Sequence, residues 1–187
     1  MLLGGVHIPA GVLTAWEEQR LVIFTGAGVS MSPPSCLPNF AGLAAEVASI
    51  VQSPLNPEDD EWKDQLDTFM DVLNEDDGVD VHRLVQGIVT KEGSAPNANH
   101  DALARIASKF STRVITTNYD LHLENVLRAH QDGPLEVFRA PAMPLGDDFE
   151  GLVYLHGSAE DDPRRLVRDR PRLQSCVLPQ CVGCAVP

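Results

Sequence analysis

The chain has 187 residues, of which 43% are hydrophobic, and this length and composition predict one globular domain whose core needs no disulfide or metal. Its 14 basic and 27 acidic residues give a net charge of −13, which argues against a nucleic-acid-binding domain because phosphate contacts need clustered Lys and Arg. With no long apolar run, no signal-peptide pattern and only four cysteines, it is expected to be a cytoplasmic protein with reduced thiols and no membrane partner.

The first quarter of the chain predicts a helix, a strand, a loop and a second helix. The first helix is predicted over 9–19. The continuous apolar run 21–24 stops at Gly26 and is typical of a strand buried on both faces of a parallel sheet. Three prolines between 33 and 38 predict an irregular loop, and the next helix is predicted over 41–52.

An acidic stretch follows over 58–80, with eleven acidic residues and one basic residue, Lys63. Its apolar residues recur at helical spacing, which predicts one or two amphipathic helices with a solvated acidic face. A dedicated cation or partner site is the alternative interpretation. The stretch belongs to a helical insertion expected near 55–95.

Helices and strands alternate through the rest of the chain. Helices are predicted over 79–89, 100–109 and 120–129, with Asn97 to Asn99 as the cap of the second, and strands over 114–117 and 152–155. This alternation indicates an α/β fold with a mostly parallel sheet, in which ligands bind at the carboxyl ends of the strands.

A glycine-containing segment, Thr25 to Ser30, follows the first predicted strand. Its glycines allow a sharp turn and let backbone N–H groups approach a pyrophosphate closely. The third glycine of the dinucleotide fingerprint is absent, and no acidic residue about 20 positions on is clearly placed after a second strand. A nucleotide site and an ordinary strand-to-helix turn both remain open for this segment.

A second polar segment, Thr116 to Asp120, follows the next strand. Asn118 and Asp120 are two positions apart, so both side chains can face one cleft before the helix begins. Either residue could instead cap that helix.

The third polar segment is His156-Gly157-Ser158, after the last predicted strand. An imidazole titrates near neutral pH and is suited to general-base catalysis. A hydrogen-bonded structural histidine is the alternative. His100, near a helix start, has the same alternative, and no chemistry is assigned to it.

Taken together and in this order, the three segments resemble the sirtuin-like family. Its members carry Gly-Ala-Gly-x-Ser, Thr-x-Asn-x-Asp and His-Gly after successive strands. The resemblance runs from about Ile8 to Asp169 and includes the segment Leu37 to Phe40. Residues 116–120, with the helix residues 123–124, resemble the bacterial NAD-hydrolysing branch, of the antiphage-defence type, rather than the protein deacylases.

The resemblance implies where the NAD pyrophosphate would bind. Backbone donors of Gly26, Ala27, Gly28 and Ser30, with the N-terminus of a following helix, would hold it. Phe40 matches a phenylalanine that lies near the nicotinamide pocket in the family.

The resemblance also implies the catalytic residues. Asn118 would lie at the nicotinamide ribose, Asp120 at the nicotinamide amide, with Thr117 in the same NAD-binding element, and His156 would act as the base. Cleavage of the bond to nicotinamide develops positive charge on the ribose, and the site needs a polar wall, a base and a positioned water. The expected function is an NAD glycohydrolase that releases nicotinamide and ADP-ribose, with NAD as substrate.

Two departures count against deacylation. The residues on either side of the family phenylalanine are Asn39 and Ala41, where deacylases carry Asp and Arg. In place of a four-cysteine zinc module there are only Cys176, Cys181 and Cys184, and a structural zinc site usually has four ligands, so no metal is expected. A non-catalytic or decayed NAD-binding module and an NAD-dependent deacylase remain the alternatives.

The expected domain is Rossmann-like, a mostly parallel sheet with helices on both faces, and it occupies residues 1–169. The segment 170–187 loses the helical and strand pattern and is expected to be an irregular tail. We therefore hypothesise that the chain is truncated or that its tail comes from a shifted reading frame. Besides NAD, the expected partner is then a missing downstream domain or a second copy of the chain in a homo-oligomer.

Overall fold

The computed structural model describes residues 2–3, 5–75, 78–109, 113–144 and 149–161. These residues form a two-stranded hairpin, a four-stranded sheet and six α-helices. In chain order the elements are β1 (Leu2–Leu3), β2 (Val6–His7), α1 (Ala10–Glu17), β3 (Ile23–Thr25), α2 (Phe40–Ile50), α3 (Leu66–Glu75), α4 (Val81–Val89), α5 (Ala98–Ala107), β4 (Arg113–Thr116), α6 (His122–His130), β5 (Val137–Arg139) and β6 (Gly151–Tyr154).

The four-stranded sheet is parallel throughout, in the order β3-β4-β6-β5. The register aligns the last residue of every strand, which places Thr25, Thr116, Tyr154 and Arg139 in one row across the sheet. The predicted α/β class with a parallel sheet is confirmed. Each segment that follows a strand therefore leaves from the same edge.

Two apolar clusters hold these elements together. One lies between the sheet and helices α5 and α6, where Val114 and Leu152 pack against Ala104 and Leu127. The other joins α2, α3 and α4 around the fully buried Phe69. The helical insertion expected near 55–95 is thus present as α3 and α4, and it packs on α2 rather than on the sheet alone.

The expected burial of the first strand on both faces is wrong. The strand covers Ile23–Thr25, and Phe24 is 63% exposed while Val22 just before it is 44% exposed. Within the described residues β3 is an edge strand, whereas β6 lies between β4 and β5 and is buried along its whole length. The apolar run correctly predicts that a strand is present here, but such a run does not reveal where the strand lies in the sheet order.

Side-chain caps explain where three of the helices begin, and at α2 the side chain of Asn39 accepts from the amide of Gly42 at 2.8 Å. Oδ1 of Asn97 accepts a hydrogen bond from the backbone amide of Asn99 at 2.9 Å, and the backbone amide of Asn97 donates to Nδ1 of His100 at 3.1 Å. The predicted cap of α5 is confirmed, with a histidine in the position that Glu or Gln takes in the usual capping box. Asp80 caps α4 by accepting from the amide of Arg83 at 3.0 Å.

Some predictions fall on residues that the structure does not describe. The end of the expected domain, 162–169, the expected tail, 170–187, and the three C-terminal cysteines all lie outside the described residues. Among the helices that the structure does describe, none has the length and apolar character needed to cross a lipid bilayer.

Gly151 at the start of β6 offers a test of the sheet register. It has φ +126°, and a Cβ there would lie 2.2 Å from the carbonyl oxygen of Glu136. We expect Gly151→Ala to lower the free energy of unfolding by about 2 kcal/mol or more, because backbone strain and a backbone clash add. Urea denaturation measures this.

Gly87→Ala is the matched control. Gly87 lies in α4, and a Cβ there meets nothing within 4 Å. The Gly87→Ala variant should have a free energy of unfolding about 0.5–1 kcal/mol higher than the wild type, because alanine has the higher helix propensity. A Gly151→Ala protein as stable as the wild type would contradict the register of β6.

Candidate functional site

The three polar segments of the sequence leave from the same edge of the sheet, as predicted. The amide of Thr117 donates to the carbonyl of Thr25 at 3.1 Å, and the amide of Leu155 donates to the carbonyl of Thr116 at 2.9 Å. These bonds extend the strand ladder by one residue beyond each strand. The segments after β3, β4 and β6 are therefore side by side where ligands of parallel sheets bind.

The segment after β3 is a short 3₁₀ turn, Ala27–Val29, rather than the start of a long helix. The helix N-terminus implied by the resemblance is therefore missing here, since α2 begins only at Phe40. The amide of Ser30 is used within the turn, donating to Ala27 at 3.0 Å. The donors that this turn can offer a ligand are the N–H groups of Ala27 and Gly28.

The two glycines of this turn are not required by backbone strain. Gly26 has φ −134° and ψ −172°, an extended conformation open to any residue. A Cβ at Gly28 would meet nothing within 4 Å, and one at Gly26 would lie 3.4 Å from Oγ1 of Thr117. What the glycines provide is an uncovered backbone at Gly28, which is exposed at the sheet edge.

The hydroxyl of Ser30 is the centre of a buried polar cluster. Ser30 is 1% exposed, and its Oγ donates to Oδ2 of Asp120 at 2.8 Å. The same Oγ accepts from Nδ2 of Asn118 at 3.2 Å and lies 3.1 Å from Nε2 of His100. The structure thus brings together Ser30, Asn118 and Asp120, all three of them site residues predicted from the sequence.

His100 is the member of this cluster that sequence reasoning missed. Its Nδ1 accepts from the amide of Asn97, which assigns the proton of the neutral ring to Nε2, so that Nε2 donates to Ser30. Burial lowers the pKa of His100, which favours this neutral form, although the Asp120 carboxylate acts in the opposite direction. Asn97, three positions before a histidine on the buried face of α5, was the sequence signal for it.

Asp120 makes the contact of a helix-capping residue and also joins the buried cluster. Its Oδ1 accepts from the amide of His122, the first residue of α6, at 3.0 Å, as a helix-capping residue would. Its Oδ2 accepts from Ser30 and, at 3.4 Å, from Asn118. A carboxylate that is 5% exposed is thereby supplied with hydrogen bonds on both oxygens.

Asn118 leaves one polar atom unsatisfied. Its Nδ2 is committed to Ser30 and Asp120, which fixes the orientation of the amide. Its Oδ1 is buried and has no hydrogen-bond partner within the described residues. A buried acceptor without a donor costs about 1–3 kcal/mol, and a ligand that supplies a donor would recover this.

His156 lies in the neighbouring segment and outside the buried cluster. It is exposed, and the partial burial of its ring lowers its pKa. Its segment is joined to that of Asn118 by the Leu155 amide and by the amide of Ala159, which donates to Tyr119 at 2.7 Å. His156 is therefore open to solvent and lies in the segment next to that of Asn118.

The two remaining predicted residues have structural contacts at the margin of this site. Phe40 is half-buried and packs against the cluster of α2, α3 and α4. Thr117 holds its hydroxyl 3.5 Å from the carbonyl of Thr25, between the first and second segments.

Asn97 ties the glycine turn to α5. Its Nδ2 donates to the carbonyl of Val29 at 2.8 Å and to that of Ser32 at 3.0 Å. The residue that caps α5 thus also holds the segment that carries Ser30, through two hydrogen bonds to backbone carbonyls. The sequence signalled the cap, but the second role depends on the folded loop.

A small recess lies at the amino-terminal ends of strands β3 and β4, away from the three polar segments. It is lined by Trp16 and Leu21 before β3, by Ile106 of α5, and by Arg113 at the start of β4. Because ligands of parallel sheets bind at the carboxyl ends of the strands, no ligand is assigned to it. Within the described residues, no group of three or more His, Cys, Asp or Glu side chains is placed to hold a metal ion.

Comparisons with known proteins add no family assignment, since neither a protein-family model nor a curated protein matches the chain. The sirtuin-like resemblance stays a prediction from the three motifs.

The lowered pKa of His100 predicts a pH-dependent stability. Below its ordinary pKa of 6.5 the unfolded chain binds a proton that the folded chain resists, so the free energy of unfolding should fall as the pH drops below about 6.5. One such histidine contributes at most about 1.4 kcal/mol per pH unit. Urea denaturation between about pH 7.5 and about pH 5.5 measures the slope.

The comparison variants are His100→Gln and His130→Gln. The first should flatten part of the slope, leaving the share contributed by His156, although it destabilises the fold at every pH. The second changes a histidine at the end of α6 whose Nε2 lies 3.2 Å from Oδ1 of Asp101, and it measures the share of the slope that comes from this surface pair. An unchanged slope in His100→Gln would show that this ring does not stay neutral.

Ser30→Ala tests the centre of the cluster. It removes a buried acceptor for His100 and a donor to Asp120, and we expect a loss of about 1–3 kcal/mol in the free energy of unfolding. Ser108→Ala is the control, because that hydroxyl, half-buried at the end of α5, donates only to the carbonyl of Ala104 one turn back. Equal losses in the two variants would count against the central role of Ser30.

Proposed function

We propose that this chain binds NAD at the carboxyl edge of its sheet and hydrolyses the bond between nicotinamide and ribose. The observation that carries the proposal is the buried, unpaired Oδ1 of Asn118, held in place by Ser30 and Asp120. The motifs that resemble the sirtuin-like family support it.

The donors and acceptors of the site indicate which chemical groups of a ligand could bind to each part of it. Oδ1 of Asn118 accepts hydrogen bonds only, so it fits a hydroxyl or an amide N–H and not a phosphate oxygen. The N–H groups of Ala27 and Gly28 only donate, so they fit phosphate oxygens. A ligand that offers both kinds of group is a nucleotide with a sugar and phosphates, and a dinucleotide such as NAD has the length to use both segments.

Local donors matter here because the overall charge is unfavourable for an anionic ligand. The chain carries a net charge of −13, which repels phosphates at long range. Backbone N–H groups at Ala27 and Gly28 act at short range, where they outweigh that field. The proposal therefore predicts affinity that depends on the turn after β3 rather than on basic side chains.

The proposed reaction breaks a C–N bond and forms a C–O bond. The bonding electron pair leaves with nicotinamide, which departs neutral, while positive charge develops on the ribose. Oδ1 of Asn118 stabilises that charge from one side, in an orientation that the hydrogen bond from its Nδ2 to Asp120 helps to fix. A water oxygen bonds to the ribose carbon, and His156 takes the proton that this water loses. Because its pKa is lowered, His156 is unprotonated at neutral pH and able to accept it.

The test measures nicotinamide release from NAD by the full chain and by two single variants. Asn118→Ala removes the acceptor and His156→Ala removes the base. Each should lower the rate by about 10²–10⁴-fold, the usual contribution of such groups. Asn99→Ala and His7→Ala change exposed residues of the same types elsewhere and should keep the wild-type rate.

Other results would overturn the proposal. If calorimetry shows that NAD binds but no nicotinamide is released, the chain is a non-catalytic NAD-binding module. NAD-dependent deacylation of an acyl-lysine peptide, without hydrolysis of NAD alone, would make it a deacylase. If NAD neither binds nor reacts, the site serves another ligand.

A further inference from the structure

We propose that Arg139 is the positioning residue that sets the place of His156, an inference that rests on the proposed function. Arg139 is the last residue of β5, the edge strand on the other side of the sheet from β3, which Ser30 follows. It touches neither Asn118 nor His156 in any hydrogen bond of the described residues. Its guanidinium instead joins the framework behind the site to the segment that carries His156.

The guanidinium makes three directional contacts. Its Nε donates to Oγ of Ser158 at 2.7 Å, and its Nη2 donates to Oε2 of Glu124 at 2.8 Å and to Oε2 of Glu160 at 2.9 Å. The side chain is 22% exposed, so water competes for it only in part. The contacts to Ser158 and Glu160 both reach the segment after β6, and Ser158 is the nearer of the two to His156 in sequence.

Glu124 is a rigid anchor for these contacts. Its side chain is 5% exposed and lies in the first turn of α6, close in sequence to Asp120. Its other oxygen, Oε1, accepts from Nε and Nη2 of Arg128 at 3.0 and 2.7 Å. A buried carboxylate shared by two guanidinium groups leaves Arg139 little freedom to move.

His156 lies between two fixed points of the chain. On one side the amide of Leu155 is bonded to Thr116, and on the other Arg139 holds Ser158. Gly157 between them has φ +81°, a left-handed turn that reverses the chain direction. With both ends held, the imidazole has a defined range of positions over the sheet edge. Without the second, Ser158 keeps, within the described residues, only its hydrogen bonds with Asp161, three residues later in the same segment, and loses its tie to β5.

A second path links the same guanidinium to the Asp120 segment. The guanidinium carbon lies 5.4 Å from the centre of the Tyr154 ring, within cation–π range. The hydroxyl of Tyr154 donates to the carbonyl oxygen of Asp120 at 3.3 Å. Arg139 therefore supports both segments that the proposed reaction uses.

Arginine is needed here because three acceptors lie in different directions from one side chain. A lysine at this position keeps the charge, but its single ammonium cannot reach Glu124, Ser158 and Glu160 together. Arg128 provides a matched control, since it contacts the same Glu124 carboxylate and not the segment after β6. Both Arg139→Lys and Arg128→Lys weaken the contacts of Glu124, but only Arg139→Lys changes the contacts with the segment after β6, so only it should affect His156.

The experiment uses the full chain and records the ¹H–¹³C signals of the histidine rings. The His156 signal is assigned by its loss in His156→Ala. We expect Arg139→Lys to move that signal and Arg128→Lys to leave it in place. Nicotinamide release from NAD should fall about 10²-fold in kcat in Arg139→Lys, with KM much less changed, because a displacement of about 1 Å has that effect.

Two results would overturn the inference. One is a folded Arg139→Lys protein with the wild-type His156 signal, and the other is an equal shift in Arg128→Lys, which would reduce Arg139 to general stabilisation. If Arg139→Lys does not fold, Ser158→Ala decides, since it removes the acceptor of Nε, along with a 3.2 Å hydrogen bond to Asp161, and should move the same signal. A wild type that releases no nicotinamide refutes the proposed function, while the His156 signal still tests the positioning.

Discussion

One buried hydroxyl, that of Ser30, holds the candidate site together. It joins a turn after the first strand to residues 70 and 90 positions later in the chain, His100 and Asp120. A hydroxyl can donate once and accept twice, and Ser30 uses all three capacities when Asn118 is included. Among the described residues of this network, the centre is saturated and the buried Oδ1 of Asn118 is left without a donor.

The parallel register makes this convergence possible. Because the four strands end in one row, every connecting segment begins at the same level, and short polar side chains are enough to span the gaps. At one end of that row, Arg139 pairs with Glu124, which also pairs with Arg128. Buried polar contacts thus determine the arrangement of the loops, while apolar packing of the sheet against α5 and α6 determines the arrangement of the strands.

Local patterns were enough to predict the alternation of helices and strands and the shared edge of the three polar segments. They were not enough for features that depend on partners distant in sequence. Phe24 looked like a core residue because its neighbours are apolar, and only the sheet order makes it exposed. The short strand β5 carries too few residues to show a period, so Arg139 had no visible role. His100 was set aside because a single histidine has no pattern until its hydrogen bonds to Asn97 and Ser30 are known.

The double use of Asn97 restricts what can replace it. Aspartate, serine and threonine serve equally well at the beginning of a helix, since each offers an oxygen to the first amides. None of them carries the amide nitrogen that Asn97 extends to the carbonyls of Val29 and Ser32. An aspartate there would turn a carboxylate toward two carbonyl oxygens. As a helix cap alone, Asn97 could be replaced by any of these residues, but its contacts with the loop after β3 require asparagine. The stability lost when Asn97 is replaced therefore measures how strongly these contacts hold that loop.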